Sequence, residues 1–276
     1  MKYIPIVGLM SGTSFDGIDT SFIFSNGKSV KRTNCNLIKP YSKKTKILLE
    51  QVLKHPQKII HDDLLKRKLE DLITLDHIKA IDDIIAKFNI KPELVSLHGQ
   101  TIYHNPKKNI SVQLIDANKI AKHFNIDVIY NFRNKDLLNG GQGAPIAPIY
   151  HKSIIEEKKL SLPTVIVNIG GIANVTYWDG RSLIGFDTGP GNSLMDKYMK
   201  KKLNKNYDNL GFIASKGNIN YFHVKEYCKK SFLKKIYPKS LDITDVFCDK
   251  LFNSLNVMNP EDAMSTLCFI TAKTIQ

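Results

Sequence analysis

Three glycine-bearing segments carry the side chains best placed to do chemistry. In GFDTGPGNSLMD (185–196), Asp187 follows the apolar residues Leu183, Ile184 and Phe186 where a buried strand is expected to end. Thr188-Gly189-Pro190-Gly191 then turns the chain toward a helix with Asn192 or Ser193 near its first turn. A carboxylate so placed can act as a general base, and N–H groups at a helix start can bind an anion. In GTSFDGID (12–19), Gly12 and Gly17 let the backbone approach a ligand closely. Consecutive N–H groups there, with the Thr13 and Ser14 hydroxyls, can cradle phosphate oxygens, and Asp16 and Asp19 could hold Mg2+ through water or accept a sugar hydroxyl. The third segment, VNIGGIANV (167–175), sets Gly170-Gly171 after a strand with Asn174 just beyond, as a second phosphate-facing hairpin would. Taken singly, each has a plainer alternative: a capping aspartate, a Gly/Ser/Asp turn, a bulged hairpin. Three in one chain favour the chemical role. His98 in LHGQT and Arg133 in NFRNKD each follow an expected strand, where α/β sheets place ligand contacts. Arginine's planar fork suits a carboxylate; a structural histidine and a surface ion pair are the competing roles. No GxxxxGK[ST] occurs, and no GxGxxG follows the first strand, so neither the Walker nor the dinucleotide-binding pattern is present.

The elements that must position these residues read as an α/β layer architecture. Residues 4–9 and 18–24 form two strands around the first glycine segment, and 45–54 look helical. A long helix is expected over 58–88, where Ile59, Leu65, Leu69, Leu72, Ile73, Ile81 and Ile84 recur every three or four positions. Strands follow at 93–99, 111–115 and 127–132, with a helix at 116–124. Residues 134–148 read as a long Gly/Pro loop and 146–158 as a helix. Strand–turn–strand is expected over 162–180, and strand–turn–helix over 182–201. Past 204 the pattern blurs until a last helix near Pro260, which Asn259 can cap. The hairpin near residue 12 is echoed by the one near residue 170, and each opens a stretch of roughly domain size.

Composition narrows the classes of function. The 276 residues are 42% apolar and 24% charged, which excludes a disordered chain. No apolar run reaches the ~18 residues of a membrane span, and the N-terminus lacks signal-peptide features, so a cytoplasmic protein with no membrane partner is expected. Cys35, Cys228, Cys248 and Cys268 form no CxxC pair and read as reduced thiols partly packed in the core. The net charge of +14 raises nucleic-acid binding, and residues 196–239 hold +9 of it. However, 36 of the 40 basic residues are lysine, whereas base-edge and bidentate phosphate readers favour arginine. A solvated lysine-rich surface is the preferred explanation, with no nucleic-acid partner.

Together the motifs resemble those of the anhydro-N-acetylmuramic acid kinase family of the sugar kinase/Hsp70/actin superfamily. The resemblance rests on GLMSGTSFDGID (8–19), LHGQTIYHNP (97–106), NFRNKDLLNGGQGAPIAP (131–148), VNIGGIANVTYW (167–178), GFDTGPGNSLMD (185–196) and the weaker YPKSLDITDVF (237–247), in family order. It implies a two-lobed actin-like ATPase (ribonuclease H-like) α/β fold around a nucleotide cleft, with lobes at 1–145 and 146–276. It also implies ATP and Mg2+ as cofactors and an amino-sugar substrate, 1,6-anhydro-N-acetylmuramic acid, phosphorylated on O6 as water opens the anhydro ring. ATP phosphates would be held by Gly12, Thr13, Ser14, Phe15, Asp16, Gly17, Ile18 and Asp19, and by Gly170 and Gly171. Asp187 would be the base, and His98, Arg133 and Asp136 the sugar-side contacts; no metal ligand is assigned, and a homodimer is compatible. Departures are Asn131 where the family has Asp, Ile115 before Asp116 where it has Gly, and Ile243 where it has Arg. Family members continue past the position of Gln276 into a CGGG-like adenosine loop. The second lobe is therefore expected to be incomplete, and the alternative function is a catalytically inactive remnant.

Overall fold

The computed structural model describes residues 2–12, 17–241, 246–247 and 249–276, which divide into unit 1 (to Gly143) and unit 2 (from Ala144).

Unit 1 is built on β1 (Ile4–Ser11), β2 (Gly17–Ser25), β3 (Val30–Pro40), β4 (Leu94–Asn105), β5 (Ile110–Leu114) and β6 (Asp127–Ile129). β1, β2 and β3 form an antiparallel meander. β4 lies parallel to β1 on its other edge, its first half pairs in parallel with β6, and its second half folds back against β5. Meander first, then two parallel strands added across β1, is the ribonuclease H-like order.

One face of the sheet is covered by α2 (Asp63–Phe88), with α1 (Lys43–Val52) and α3 (Ala117–Phe124) beside it. Leu69, Ile73, Ile81 and Ile84 of α2 and Val7, Ile18 and Val95 of the strands are fully buried in one cluster. Each such side chain contributes about 1.5–3 kcal/mol of apolar burial.

The expected single helix over 58–88 is broken: a short 3-10 turn spans Pro56–Ile60 and α2 starts after Asp62. Asp62 accepts the Leu65 N–H at 2.9 Å, so a side-chain cap competes with continued helix there. Asn89, Asn125 and Asn204 end their helices in the left-handed conformation usually given to glycine.

Two further expectations are corrected. The strand expected at 127–132 ends at Ile129, and α4 (Phe132–Leu138) occupies the start of the expected loop because Leu137 is buried against unit 1. β3 was not foreseen; its burial alternates along the strand, and its apolar residues are spaced among lysine, arginine and asparagine.

Unit 2 holds α5 (Pro148–Glu157) and a second antiparallel meander, β7 (Thr164–Ile169), β8 (Ile172–Trp178) and β9 (Leu183–Pro190). α6 (Ser193–Leu203), α7 (Tyr221–Cys228), α8 (Asp249–Leu255) and α9 (Pro260–Ile275) follow. Leu194, Met199, Leu255, Met264, Leu267 and Ile270 form their shared core. Asn259 caps α9 through the Glu261 N–H at 3.1 Å, as expected. Among the described residues no helix is long and apolar enough to cross a membrane. Cys35, Cys228 and Cys268 are free thiols; Cys248 lies outside the described residues.

Candidate active site

In unit 2, Asp187 lies within β9, three residues before its end, and is buried. Two backbone contacts hold it: its N–H donates to the Lys239 carbonyl at 3.1 Å, and its Oδ2 accepts the Leu241 N–H at 2.8 Å. Tyr237 stacks on the neighbouring Phe186 with ring centroids 5.5 Å apart. The weakest of the six motifs is thus the one that clasps the expected base. Burial lowers the Lys239 pKa while the Asp187 charge works the other way.

Asn174 stands opposite Asp187 on β8. Its Oδ1 is buried and has no hydrogen-bond partner among the described residues. A buried acceptor left unspent next to a carboxylate is a place for the proton of a small polar ligand.

Gly170 and Gly171 form the tip between β7 and β8, and their carbonyls are stitched to the start of α6. Gly171 accepts from Gly191 N–H at 3.0 Å and from Ser193 N–H at 3.3 Å, and Gly170 accepts from Asn192 N–H at 2.7 Å. Those three amides, expected to serve an anion, are used inside the protein instead. The approach is close: a Cβ on Gly191 would lie 1.9 Å from the Gly170 oxygen. Thr271 of α9 donates to the Gly191 carbonyl at 2.8 Å and fixes the same turn from below.

In unit 1, Gly12 ends the described part of the first glycine segment; Thr13, Ser14, Phe15 and Asp16 lie outside the described residues. Gly17 and Ile18 open β2 and are buried, Ile18 in the core, while Asp19 is exposed. Gly17 is required by packing, since a Cβ there would meet the Lys39 carbonyl at 2.5 Å.

Beneath Gly12 runs a buried polar network that sequence reasoning missed. Gln100 donates through Nε2 to the Gly12 carbonyl at 3.2 Å and accepts from the Tyr41 hydroxyl at 2.9 Å. Ser11 Oγ lies 3.3 Å from His77 Nε2, and His77 Nδ1 is 2.8 Å from the Ile73 carbonyl. Asp76 accepts from Ser42 N–H at 3.0 Å and from Thr45 Oγ1 at 2.5 Å. Burial raises the Tyr41 pKa and lowers that of His77 to about 4. The strand expected at 93–99 stops one residue short of Gln100, whereas β4 runs on to Asn105 and buries it, so its type alone carried no signal.

The three expected sugar-side residues are brought together. Arg133 Nε donates to His98 Nε2 at 2.5 Å, and Arg133 Nη1 donates to the Gly143 carbonyl at 2.6 Å. Gly143 N–H in turn donates to Asp136 Oδ2 at 2.7 Å. His98 Nδ1 is 3.0 Å from the Gly99 carbonyl, so Nδ1 carries the proton and Nε2 accepts from the guanidinium. Burial, then the Arg133 charge, lowers the His98 pKa to about 4. The imidazole is a fixed neutral wall, and the Asp136 carboxylate holds the 139–143 loop against α4.

A ribonuclease H-like sheet in unit 1 and a second antiparallel meander in unit 2, with a buried carboxylate near the end of its last strand, give a mixed α/β architecture of the actin-like type. The family follows: the anhydro-N-acetylmuramic acid kinase model matches residues 3–276, and the chain belongs to that family. An anhydro-N-acetylmuramic acid kinase of Rhodopseudomonas palustris (strain ATCC BAA-98 / CGA009) is 36% identical over 276 residues, covering 98% of this chain and 74% of the relative. Those of Zymomonas mobilis and Pelagibacter ubique are 36% and 35% identical, again over 98% of this chain and over 75% and 73% of their own. A crystal structure of an exopolyphosphatase-like protein superposes over 86% of this chain and 63% of its own, with a TM-score of 0.42 and 11% identity. Family membership makes the chain a phosphotransferase with an alcohol acceptor.

Proposed function

We propose that the chain uses ATP to phosphorylate 1,6-anhydro-N-acetylmuramic acid on O6 while water opens the anhydro bridge, giving N-acetylmuramate 6-phosphate for peptidoglycan recycling in the cytosol. The observation that carries this reading is Asp187, buried in a family-matching motif and fixed by two backbone hydrogen bonds. Asp187 takes a proton from water as the water oxygen bonds to C1. The C1–O6 bond breaks, and O6 takes the γ-phosphoryl group as ADP departs. The unspent Oδ1 of Asn174 lies on the strand next to that base, where it can accept the second proton of the same water.

Residues 12–19 are assigned to the triphosphate, together with the Gly170-Gly171 tip. Their backbone N–H groups would stabilise the charge that develops during transfer. His98, Arg133 and Asp136 are assigned to the sugar side, where their bonded chain makes one rigid surface. Mg2+ fits as an ion brought by the nucleotide: exposed Asp19 can hold it through water, and when bound it neutralises phosphate charge. A homodimer is compatible with this assignment, and sizing of the purified chain tests it.

Incubating the purified chain with ATP, Mg2+ and the anhydro sugar tests the reading. A product heavier than the sugar by one water and one HPO3, formed only with both substrates, supports it. Consumption of ATP with the anhydro ring left intact overturns it.

A further inference from the structure

Lys239 closes the lysine-rich stretch of unit 2, and its surroundings differ from those of a solvated lysine. It is half-buried, while Lys234 and Lys235 before it are exposed. It also belongs to the backbone clasp on Asp187: the Lys239 carbonyl accepts the Asp187 N–H at 3.1 Å, and the Leu241 N–H donates to Asp187 Oδ2 at 2.8 Å. We propose that Lys239 is a positioning residue for Asp187: its ammonium, held against aromatic rings, keeps the neighbouring carboxylate in the ionised form that accepts a proton. The inference rests on the reading of Asp187 as the base and adds a residue that acts through it.

Aromatic rings fix the side chain. Lys239 Nζ lies 4.8 Å from the Phe232 ring centroid and 5.6 Å from that of Phe186. Both are inside the ~6 Å over which a ring face attracts a cation. Phe232 packs against the core of unit 2, and Tyr237 stacks on Phe186 with the two ring planes 12° apart. Phe186 immediately precedes Asp187 on β9, so a cation anchored to its ring is also kept next to the base.

Burial drives a carboxylate toward its neutral form, and a neutral acid cannot take a proton from water. The Leu241 N–H opposes this with a hydrogen bond, and Lys239 opposes it with its charge. The coupling is felt at Lys239 itself, whose pKa is lowered by burial, raised by the Asp187 charge and lowered by Lys235. Coulomb attraction is mutual, so the same pair stabilises Asp187 as an anion. Charged groups on the helices packed against β9 have other partners. α5 carries His151, Lys152, Glu156 and Glu157; Lys152 lies over the Trp178 ring and 3.7 Å from Glu156, and His151 Nδ1 is 2.7 Å from Thr176 Oγ1. On α9, Lys273 donates to Gln276 at 2.9 Å, Asp262 accepts the Asn218 N–H at 2.6 Å, and Glu261 acts on Tyr198. β8 carries no charged residue, and Asp242 and Asp245 lie outside the described residues.

Lys239→Met tests this, because it keeps the apolar stem between the rings, removes the charge and leaves the backbone clasp in place. Carboxyl-carbon NMR of the full chain, with the Asp187 resonance identified by its loss in Asp187→Asn, reads the pKa of the base without turnover. In Lys239→Met that pKa should rise by about one pH unit, and Lys239→Arg should bring it back close to the parent value. The acid limb of the kcat/KM profile for the anhydro sugar should move by the same amount in each variant. Urea midpoints check the fold, and Lys239→Gln reads the same shift if the methionine variant melts early. A parent-like Asp187 titration in a folded Lys239→Met or Lys239→Gln chain would overturn the inference alone, as would an equal rise in Lys239→Arg. A shifted carboxyl with an unmoved rate profile would remove Asp187 as the base, and the positioning role with it.

Discussion

Arg133 donates its Nε proton to Nε2 of His98 across 2.5 Å, and burial together with this contact keeps the imidazole neutral. A second proton on His98 would have to face the guanidinium. The His98 pKa is lowered to about 4, as is that of buried His77. In the unfolded chain both would titrate near 6.5. The stability tied to each is fully present above that value and is lost as pH falls from about 6.5 toward 4, because the unfolded state then binds the extra proton. By pH 5 the loss is about 2 kcal/mol per histidine. Urea midpoints measured from pH 7.5 to pH 5 should fall accordingly, and His98→Gln should flatten about half of that slope.

Removing the guanidinium separates its two roles. Arg133→Met leaves the Gly143 carbonyl and His98 Nε2 without this donor, at a cost of about 1–3 kcal/mol. It also removes the positive neighbour, so the His98 pKa should rise toward its ordinary value. NMR titration of the imidazole resonances checks this; an unmoved His98 would show that burial alone sets it.

Gly191 and Gly170 face each other but tolerate substitution very differently. A methyl on Gly191 would lie 1.9 Å from the Gly170 oxygen, whereas one on Gly170 meets nothing nearer than 3.7 Å. Gly191→Ala should therefore cost about 2–4 kcal/mol and loosen the tie between the β7–β8 tip and α6, while Gly170→Ala should stay within about 1 kcal/mol. Thermal melts of the two variants make the comparison.

Gln100→Leu should cost about 2–3 kcal/mol, because the Gly12 carbonyl and the Tyr41 hydroxyl both lose a buried partner. If Gly12 leads into a phosphate-binding segment, Mg·ATP affinity should fall in the same variant more than it does in Tyr41→Phe, which leaves the Gly12 contact in place.

Much of the candidate site was legible as candidate residues because short motifs suggest a chemistry. Asp187, the glycine tips, His98 and Arg133 were singled out as candidates from type and spacing, whereas Asp136 entered only through the family resemblance, and the structure bonds it into one chain with His98 and Arg133. The alternating and helical apolar periods located most strands and helices of unit 1 for the same reason: burial on one face leaves a period. What stayed hidden depends on contacts distant in sequence. Lys239 and Leu241 grip Asp187 through backbone atoms, which leave no mark on residue type. Gln100 looks like an ordinary polar residue until the fold buries it. β3 was missed because its inward positions alternate with lysine, arginine and asparagine and its inward face includes Thr33 and Cys35. α4 was missed because the glycines after it outweighed a single buried leucine.

The most direct test of the mechanism is steady-state turnover of Asp187→Asn with the anhydro sugar and Mg·ATP. The amide oxygen of asparagine can still accept the Leu241 N–H, so the fold should survive, as a melting curve will show. With no base to take the proton from water, kcat should drop about a hundredfold or more while Mg·ATP affinity holds. Parent-like turnover by Asp187→Asn would contradict the account.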